Sequence, residues 1–266
     1  QIGRNYNPAT LVLFKGATSS PCGGANGASG PFYCPADKKA YLDTEFWGVF
    51  SQDNRHIRVP GFYDGEGSFK VRFCPDQPGI WTLRTQSATA ALDGQTARFD
   101  VTGPRDGVHG PVSVRNRFHF GHADGTPFKP FTTTCYAWTH QPLEQQEQTL
   151  TSLECGAFNK MRMCVFPKHY RYNQNEPDRY PFPLVTKGSS AWPGSIKDAG
   201  WEFDYERFEP EYFQHLEKRI NQLAEIGVEA DLIIFHPYDR WGFSHMTPEQ
   251  DDRYLRYLTA RLAALP

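Results

Sequence analysis

A chain of 266 residues is long enough for two ordinary domains with real cores. Its 28 Lys and Arg against 30 Asp and Glu leave a formal net charge of -2, which gives no electrostatic reason to expect nucleic acid or an anionic membrane surface as partner. No apolar run approaches the roughly 20 residues needed to span a bilayer, so the composition points to a soluble protein with a neutral ligand. Aromatic residues make up 15% of the chain, a supply of flat faces of the kind on which sugars stack. The chain opens at Gln1 with neither an initiator Met nor a signal-type apolar stretch, as expected of a processed product or a fragment, and both cytoplasmic and secreted locations stay open.

Residues 1–44 form a leader segment with two of the six cysteines. Cys22 and Cys34 enclose the flexible loop CGGANGASGPFYC, where a bridge would restrain a poorly packed stretch and free thiols are the alternative. Cys135 and Cys164 sit in the apolar runs TTTCYAW and MRMCVF, the setting of buried, inert cysteine. No CxxC or Cys/His spacing of the structural zinc kind occurs, so no metal and no other cofactor is expected. The stretch LVLFKGATSSPCGGANGASGPFYCPADKKAYLD, Leu11 to Asp43, resembles the segment preceding the active-site helix of bacterial neutral zinc metallopeptidases. That chemistry needs HExxH, because two His four apart on a helix share a face and bind one zinc. The chain has no HExxH, so the resemblance brings neither ligands nor peptidase activity, and the leader reads as joined near Glu45 to a remainder of different origin.

Residues 45–105 change to short alternating runs, HIRVPGFY, SFKVRF, IWTLRTQS and TARFDVTG, separated by DGEG, PDQPG and LDG turns. This spacing predicts an antiparallel β-sandwich with Phe73, Trp81 and Phe99 facing its core. The stretch VPGFYDGEGSFKVRFCPDQPGIWTLRT is similar to the immunoglobulin-like domain of unknown function at the N-terminus of bacterial glycoside hydrolases of the apiosidase-like type. The resemblance implies a module that props a catalytic domain or presents an aromatic patch to carbohydrate.

Residues 106–266 read as three strand-then-helix repeats. FKPFTTTCYAW is followed by a helix with Leu143, Leu150 and Leu153 on one face, and FNKMRMCVFP by one with Phe213, Leu216, Ile220 and Leu223. ADLIIFHPY is followed by a helix opened by Thr247, Pro248, Glu249 and Gln250, a capping sequence. Apolar strands alternating with helices predict a parallel sheet. The expected fold class is thus a β-sandwich followed by an incomplete (β/α) barrel of the TIM type with about three βα units, whose open strand edge invites self-association.

In such folds chemistry gathers past the C-terminal ends of strands. Those positions hold Tyr136, Trp138 and His140, then His169, Tyr170 and Tyr172, then His236, Tyr238, Asp239 and Trp241. Phenols, indoles and imidazoles together suit a saccharide, by stacking and by hydrogen bonds to hydroxyls. TTTCYAWTHQ, FNKMRMCVFPKHYRYNQNEP and EADLIIFHPYDRWGFSHM resemble the first strand ends of the apiosidase-like glycoside hydrolases, so that the likeness runs from residue 45 to 266. It implies that Arg162 orients the nucleophile carboxylate, and that the acid/base and nucleophile belong to later strands, leaving an inactive fragment with only its saccharide-binding side. Asp239 could meet Glu176 or Asp178 as a catalytic pair, but reads better as an acceptor for a substrate hydroxyl or a partner of Arg240 or Arg171. Zinc held by His169, His236 and His245 lacks a spacing motif. Three classes follow: a fragment of a glycoside hydrolase acting on a plant-type or other neutral saccharide, a carbohydrate-binding or structural fragment, and a zinc metallopeptidase fragment.

Overall fold

The structure is a computed structural model that describes residues 9–15, 44–102, 104, 107, 109–189 and 199–265. The proposed Cys22–Cys34 pairing, and the metallopeptidase-like segment apart from one short strand, lie outside these residues. Six strands, β1 (Ala9–Lys15), β2 (Phe46–Gln52), β3 (Arg55–Tyr63), β4 (Ser68–Phe73), β5 (Gly79–Ser87) and β6 (Thr96–Val101), form a single antiparallel sheet in the order β1-β4-β3-β2-β5-β6. Two small antiparallel sheets follow: β7 (Val112–Arg115) with β8 (His119–His122) and β9 (Pro127–Phe128), and, later in the chain, β12 (Leu184–Thr186) with β13 (Glu202–Phe203). Between and after these, β10 (Thr132–Thr134), β11 (Lys160–Cys164) and β14 (Glu229–Ile233) pair in parallel, in that order. The helices are α1 (Leu143–Glu154), α2 (Pro210–Glu225) and α3 (Pro248–Leu262).

This architecture corrects the expected fold class on both counts. The first half is one curled sheet, because β3 pairs with β2 over residues 55–60 and with β4 over 61–63. The curl brings Phe50 of β2 onto Phe73 of β4, ring centroids 4.3 Å apart, around a core that includes Trp81, Leu83 and Val71. Gly61 sits where β3 changes partner, and a Cβ there would lie 2.1 Å from the Phe46 ring, so no other residue fits the bend unshifted. Alternation of buried and exposed residues is the same for a curled sheet and for two facing ones, which is why the pattern suggested a sandwich. In the second half, the described residues contain three α-helices and a parallel sheet of only three short strands, and across all the described residues most strands are antiparallel. Among the described residues no complete (β/α) barrel is formed. On β11 Met161 and Met163 are fully buried on one face, while the other face carries the exposed Arg162 and the buried Cys164.

Helix boundaries follow local chemistry. At the start of α3 the Thr247 hydroxyl accepts from Gln250 N–H at 3.3 Å and the Gln250 side chain accepts from Thr247 N–H at 2.9 Å, with Pro248 in the first turn. Helix α2 buries Phe213, Leu216, Ile220 and Leu223 on one face.

The two halves are joined by a buried ionic knot. Arg261 of α3, fully enclosed, donates to Asp64 beyond β3 at 2.6 Å and to Glu217 of α2 at 2.6 Å. Arg72 of β4 donates to the other Glu217 oxygen at 2.8 Å and to the Arg261 carbonyl at 2.5 Å. Lys70 pairs with the remaining Asp64 oxygen, and the Tyr257 hydroxyl donates to the Tyr63 carbonyl at 2.8 Å. Burial works against the charge on Arg261, but Tyr257, Glu217 and Asp64 outweigh it and hold its pKa above the ordinary value. Removing one partner leaves the others buried and uncompensated, which costs about 3–5 kcal/mol. Arg261→Ala is therefore expected to lower the unfolding free energy by about that much in urea titration. Arg261→Lys should recover little of it, because a single ammonium cannot serve two carboxylates with a planar fork.

Candidate functional site

The chain past β11 and the chain past β14 meet at one open cleft of about 410 Å³, lined by His169, Tyr170, Arg171, Gln174, Pro237, Tyr238 and Asp239. At its edge the Lys168 ammonium lies 3.8 Å from the Tyr136 ring centroid and 5.0 Å from those of both Tyr170 and Tyr238. One cation thus ties together phenols from all three strand ends, each contact worth about 0.5–1 kcal/mol at an exposed site. The Tyr238 ring is 62% exposed and Tyr172 81%, so the rim presents open aromatic faces.

Two strand ends are held from behind by tyrosines of the helices. Tyr212 of α2 donates to the Val165 carbonyl, beside His140 Nε2 at 3.0 Å, and Tyr254 of α3 donates to the Ile234 carbonyl at 3.1 Å. His236 bridges the same loops: its Nδ1 accepts from Tyr238 N–H at 3.2 Å, so Nε2 carries the proton and donates to the Phe166 carbonyl at 3.2 Å. Burial pushes its pKa below the ordinary imidazole value.

Of the residues singled out in the sequence, His169, Tyr170, Tyr238 and Asp239 line the cleft and Tyr136 borders it through Lys168. Trp138 and Trp241 are in the core, 3% and 1% exposed, with their indole N–H groups spent on the Gln146 carbonyl and on Glu176. Asp239 is 2% exposed and accepts from the backbone N–H groups of Trp241, Gly242 and Ser244, at 2.8, 2.5 and 2.9 Å. It shapes its own loop and pairs with neither Arg240 nor Arg171. Arg162, which the resemblance assigned to orienting a nucleophile carboxylate, donates through Nε and Nη2 to Asp231 on β14, at 3.0 and 2.8 Å. Glu176 is committed as well, to Arg240, to the Tyr180 hydroxyl at 2.9 Å and to the Trp241 indole at 3.0 Å. His236 has both ring nitrogens engaged, which removes it from the zinc alternative. Among the described residues no group of three or more His, Cys, Asp or Glu is arranged to hold a metal ion.

Residues 114–266 match the model of the apiosidase-like catalytic domain. The chain belongs to this family. Residues 34–88 match a domain of unknown function, DUF5060, and residues 1–55 match the family described as "putative neutral zinc metallopeptidase". The N-terminal likeness extends to Escherichia coli (strain K12) protein YpfJ, 40% identical over 47 residues, 18% of this chain and 16% of that protein. Mycobacterium bovis protein Mb2605 is 48% identical over 44 residues, 16% of this chain and 15% of that one. In three dimensions the chain matches a crystal structure described as "a putative glycoside hydrolase" from Bacteroides vulgatus ATCC 8482, with TM-score 0.81 and 39% identity. That match takes in 96% of this apiosidase-like chain and 46% of the solved one, so the chain spans less than half of that relative's length.

Sequence reasoning did not single out Arg171, Gln174 or Pro237 as lining the cleft, nor Lys168 beside it. The signal for Lys168 was its place, two residues past the buried Phe166 in FPKHYRY, between two strand-end aromatics. Three further imidazoles near the strand ends are proton-poor in the native state: burial lowers His140 to about 3 and His215 to about 4, and burial with Arg240 lowers His169. The unfolded chain takes up these protons near pH 6.5, so the stability contribution is full above that pH and is lost as pH falls toward the folded values. The urea midpoint is expected to fall steadily from pH 7 to pH 4, and His215→Gln should flatten that slope.

Proposed function

We propose that the cleft at the strand ends is the saccharide-binding side of a glycoside hydrolase, and that these residues do not themselves supply the catalytic carboxylate pair. The observation that carries the reading is the convergence of Tyr136, Tyr170 and Tyr238 on Lys168, which builds an aromatic rim from three separate chain segments around one open cleft. Family membership and the solved relative support the reaction class. Retaining hydrolysis needs two carboxyl groups roughly 5–5.5 Å apart, one protonated and one ionised, both facing the sugar. Asp239 spends its oxygens on three backbone N–H groups, and Glu176 spends its own on Arg240, Tyr180 and Trp241. Neither is placed to donate a proton to a leaving group or to attack an anomeric carbon. The cleft residues bind and orient: Tyr170 and Tyr238 offer ring faces, and His169, Arg171 and Gln174 offer polar groups for hydroxyls.

The test is titration of the 266-residue protein with a panel of neutral oligosaccharides, followed by saturation-transfer NMR, alongside aryl glycoside hydrolysis. Binding without turnover is expected. Tyr238→Ala should weaken binding about fivefold, the loss of one aromatic contact worth about 1 kcal/mol, whereas Tyr238→Phe should keep it. Turnover abolished by Glu176→Gln or Asp239→Asn in a protein that remains folded would contradict the assignment.

A further inference from the structure

We propose that the outer face of the six-stranded sheet, remote in sequence from the cleft, is a binding surface for a polyanionic polysaccharide. The register assigns the face. Val49 of β2 stands opposite Arg58 of β3 on one side and Arg84 of β5 on the other, and Arg84 stands opposite Thr96 of β6. One row further along, Ser51 faces His56 and Thr82, and Thr82 faces Arg98. Residues directly opposite, or two apart on one strand, share a face. Arg58, Arg84 and Arg98 therefore project from the same side, the side opposite the buried Phe50, Trp81 and Leu83, and all three are exposed.

Three arginines across the strands β3, β2, β5 and β6 span roughly 14 Å, three interstrand spacings. Among the described residues none of the three is within ion-pair distance of a carboxylate, whereas Arg55, on the same β3, is matched to Asp76 at 2.7 Å. The one acidic residue in these rows is Asp100, at the far end of β6 opposite Ile80. The Arg58 guanidinium is already ordered, lying 3.9 Å over the Trp47 ring, so little side-chain freedom remains to be lost when it engages an anion. Arginine forks match carboxylate and sulfate groups in two-pronged fashion, and Ser51, Thr82 and Thr96 set hydroxyls between them.

The saccharide half of this inference rests on the glycoside hydrolase reading; the anionic half rests on the arginines alone. A single-stranded nucleic acid would want free aromatic platforms, and the indole on these rows is covered by Arg58.

Affinity electrophoresis of the 266-residue protein in gels containing alginate, dextran sulfate, neutral dextran or polyadenylate tests the proposal. Retardation is expected in alginate or dextran sulfate and not in dextran, with the stronger of the two naming carboxylate or sulfate as the anion, and it should fade as salt is raised. The triple variant Arg58→Ala, Arg84→Ala, Arg98→Ala should weaken it about tenfold or more, and the triple Arg→Lys variant, which keeps the charge and loses the fork, should fall between that variant and the wild type, each checked for an unchanged thermal transition. Equal retardation of the wild type and the alanine triple, equal retardation in neutral dextran, or stronger retardation in polyadenylate would overturn it. Because the readout needs no turnover and uses no cleft residue, failure here leaves the cleft assignment standing, and failure of the Tyr238 test leaves this surface standing.

Discussion

The placement of everything else depends on one buried arginine. Arg261 has no exposure, and its guanidinium reaches both Asp64 at the turn after β3 and Glu217 on α2. Enclosing a charge is costly, and the cost is offset only when geometry and hydrogen bonding are complete. Here Tyr257, Arg72, Lys70 and Gln214 complete the set around Arg261, Glu217 and Asp64. Such a knot tolerates little displacement of its members, so it fixes how α2 and α3 sit against the curled sheet.

From there the constraint passes outward through hydrogen bonds. Helix α2 carries Tyr212, which holds the Val165 carbonyl, and α3 carries Tyr254, which holds the Ile234 carbonyl. Those two carbonyls belong to the last turns of chain before Lys168 and Tyr238. His236 then cross-links the two loops, and Asp239 and Glu176 lock the bends that follow. The cleft is thus a rim of exposed phenols on a floor of committed polar groups. Carboxylates and imidazoles that looked chemically free in the sequence are the fasteners.

Much of this was legible in the residues, and the limits have physical causes. The spacing of Phe213, Leu216, Ile220 and Leu223 marked the α2 face, and Thr247 with Gln250 marked the start of α3, because both signals are local. The strand-end aromatics marked the cleft, but pattern alone could not separate the exposed Tyr238 from the buried Trp241 three residues on. Sequence alternation reports which residues are buried without saying whether the facing surface belongs to another sheet or to the same one curled at Gly61. The expected barrel failed for a related reason: apolar strands between helices imply parallel pairing, and say nothing about how many strands join. Arg162 and Asp231 sit 69 positions apart, so their pairing is invisible until β11 and β14 are set side by side. A net charge of -2 likewise does not show that Arg58, Arg84 and Arg98 share one sheet face, which only the strand register reveals.

The central claim is that the Arg261 knot sets the strand ends, some distance away, by fixing α2 and α3. Hydrogen–deuterium exchange read by mass spectrometry on wild type and Arg261→Met, under conditions where both are folded, tests it most directly. The account predicts lost protection in peptides covering 62–72, 165–170 and 234–239 together, since opening the knot frees Tyr212 and Tyr254 along with it. Lost protection confined to the C-terminal turns of α3, with the strand-end peptides unchanged, would contradict it.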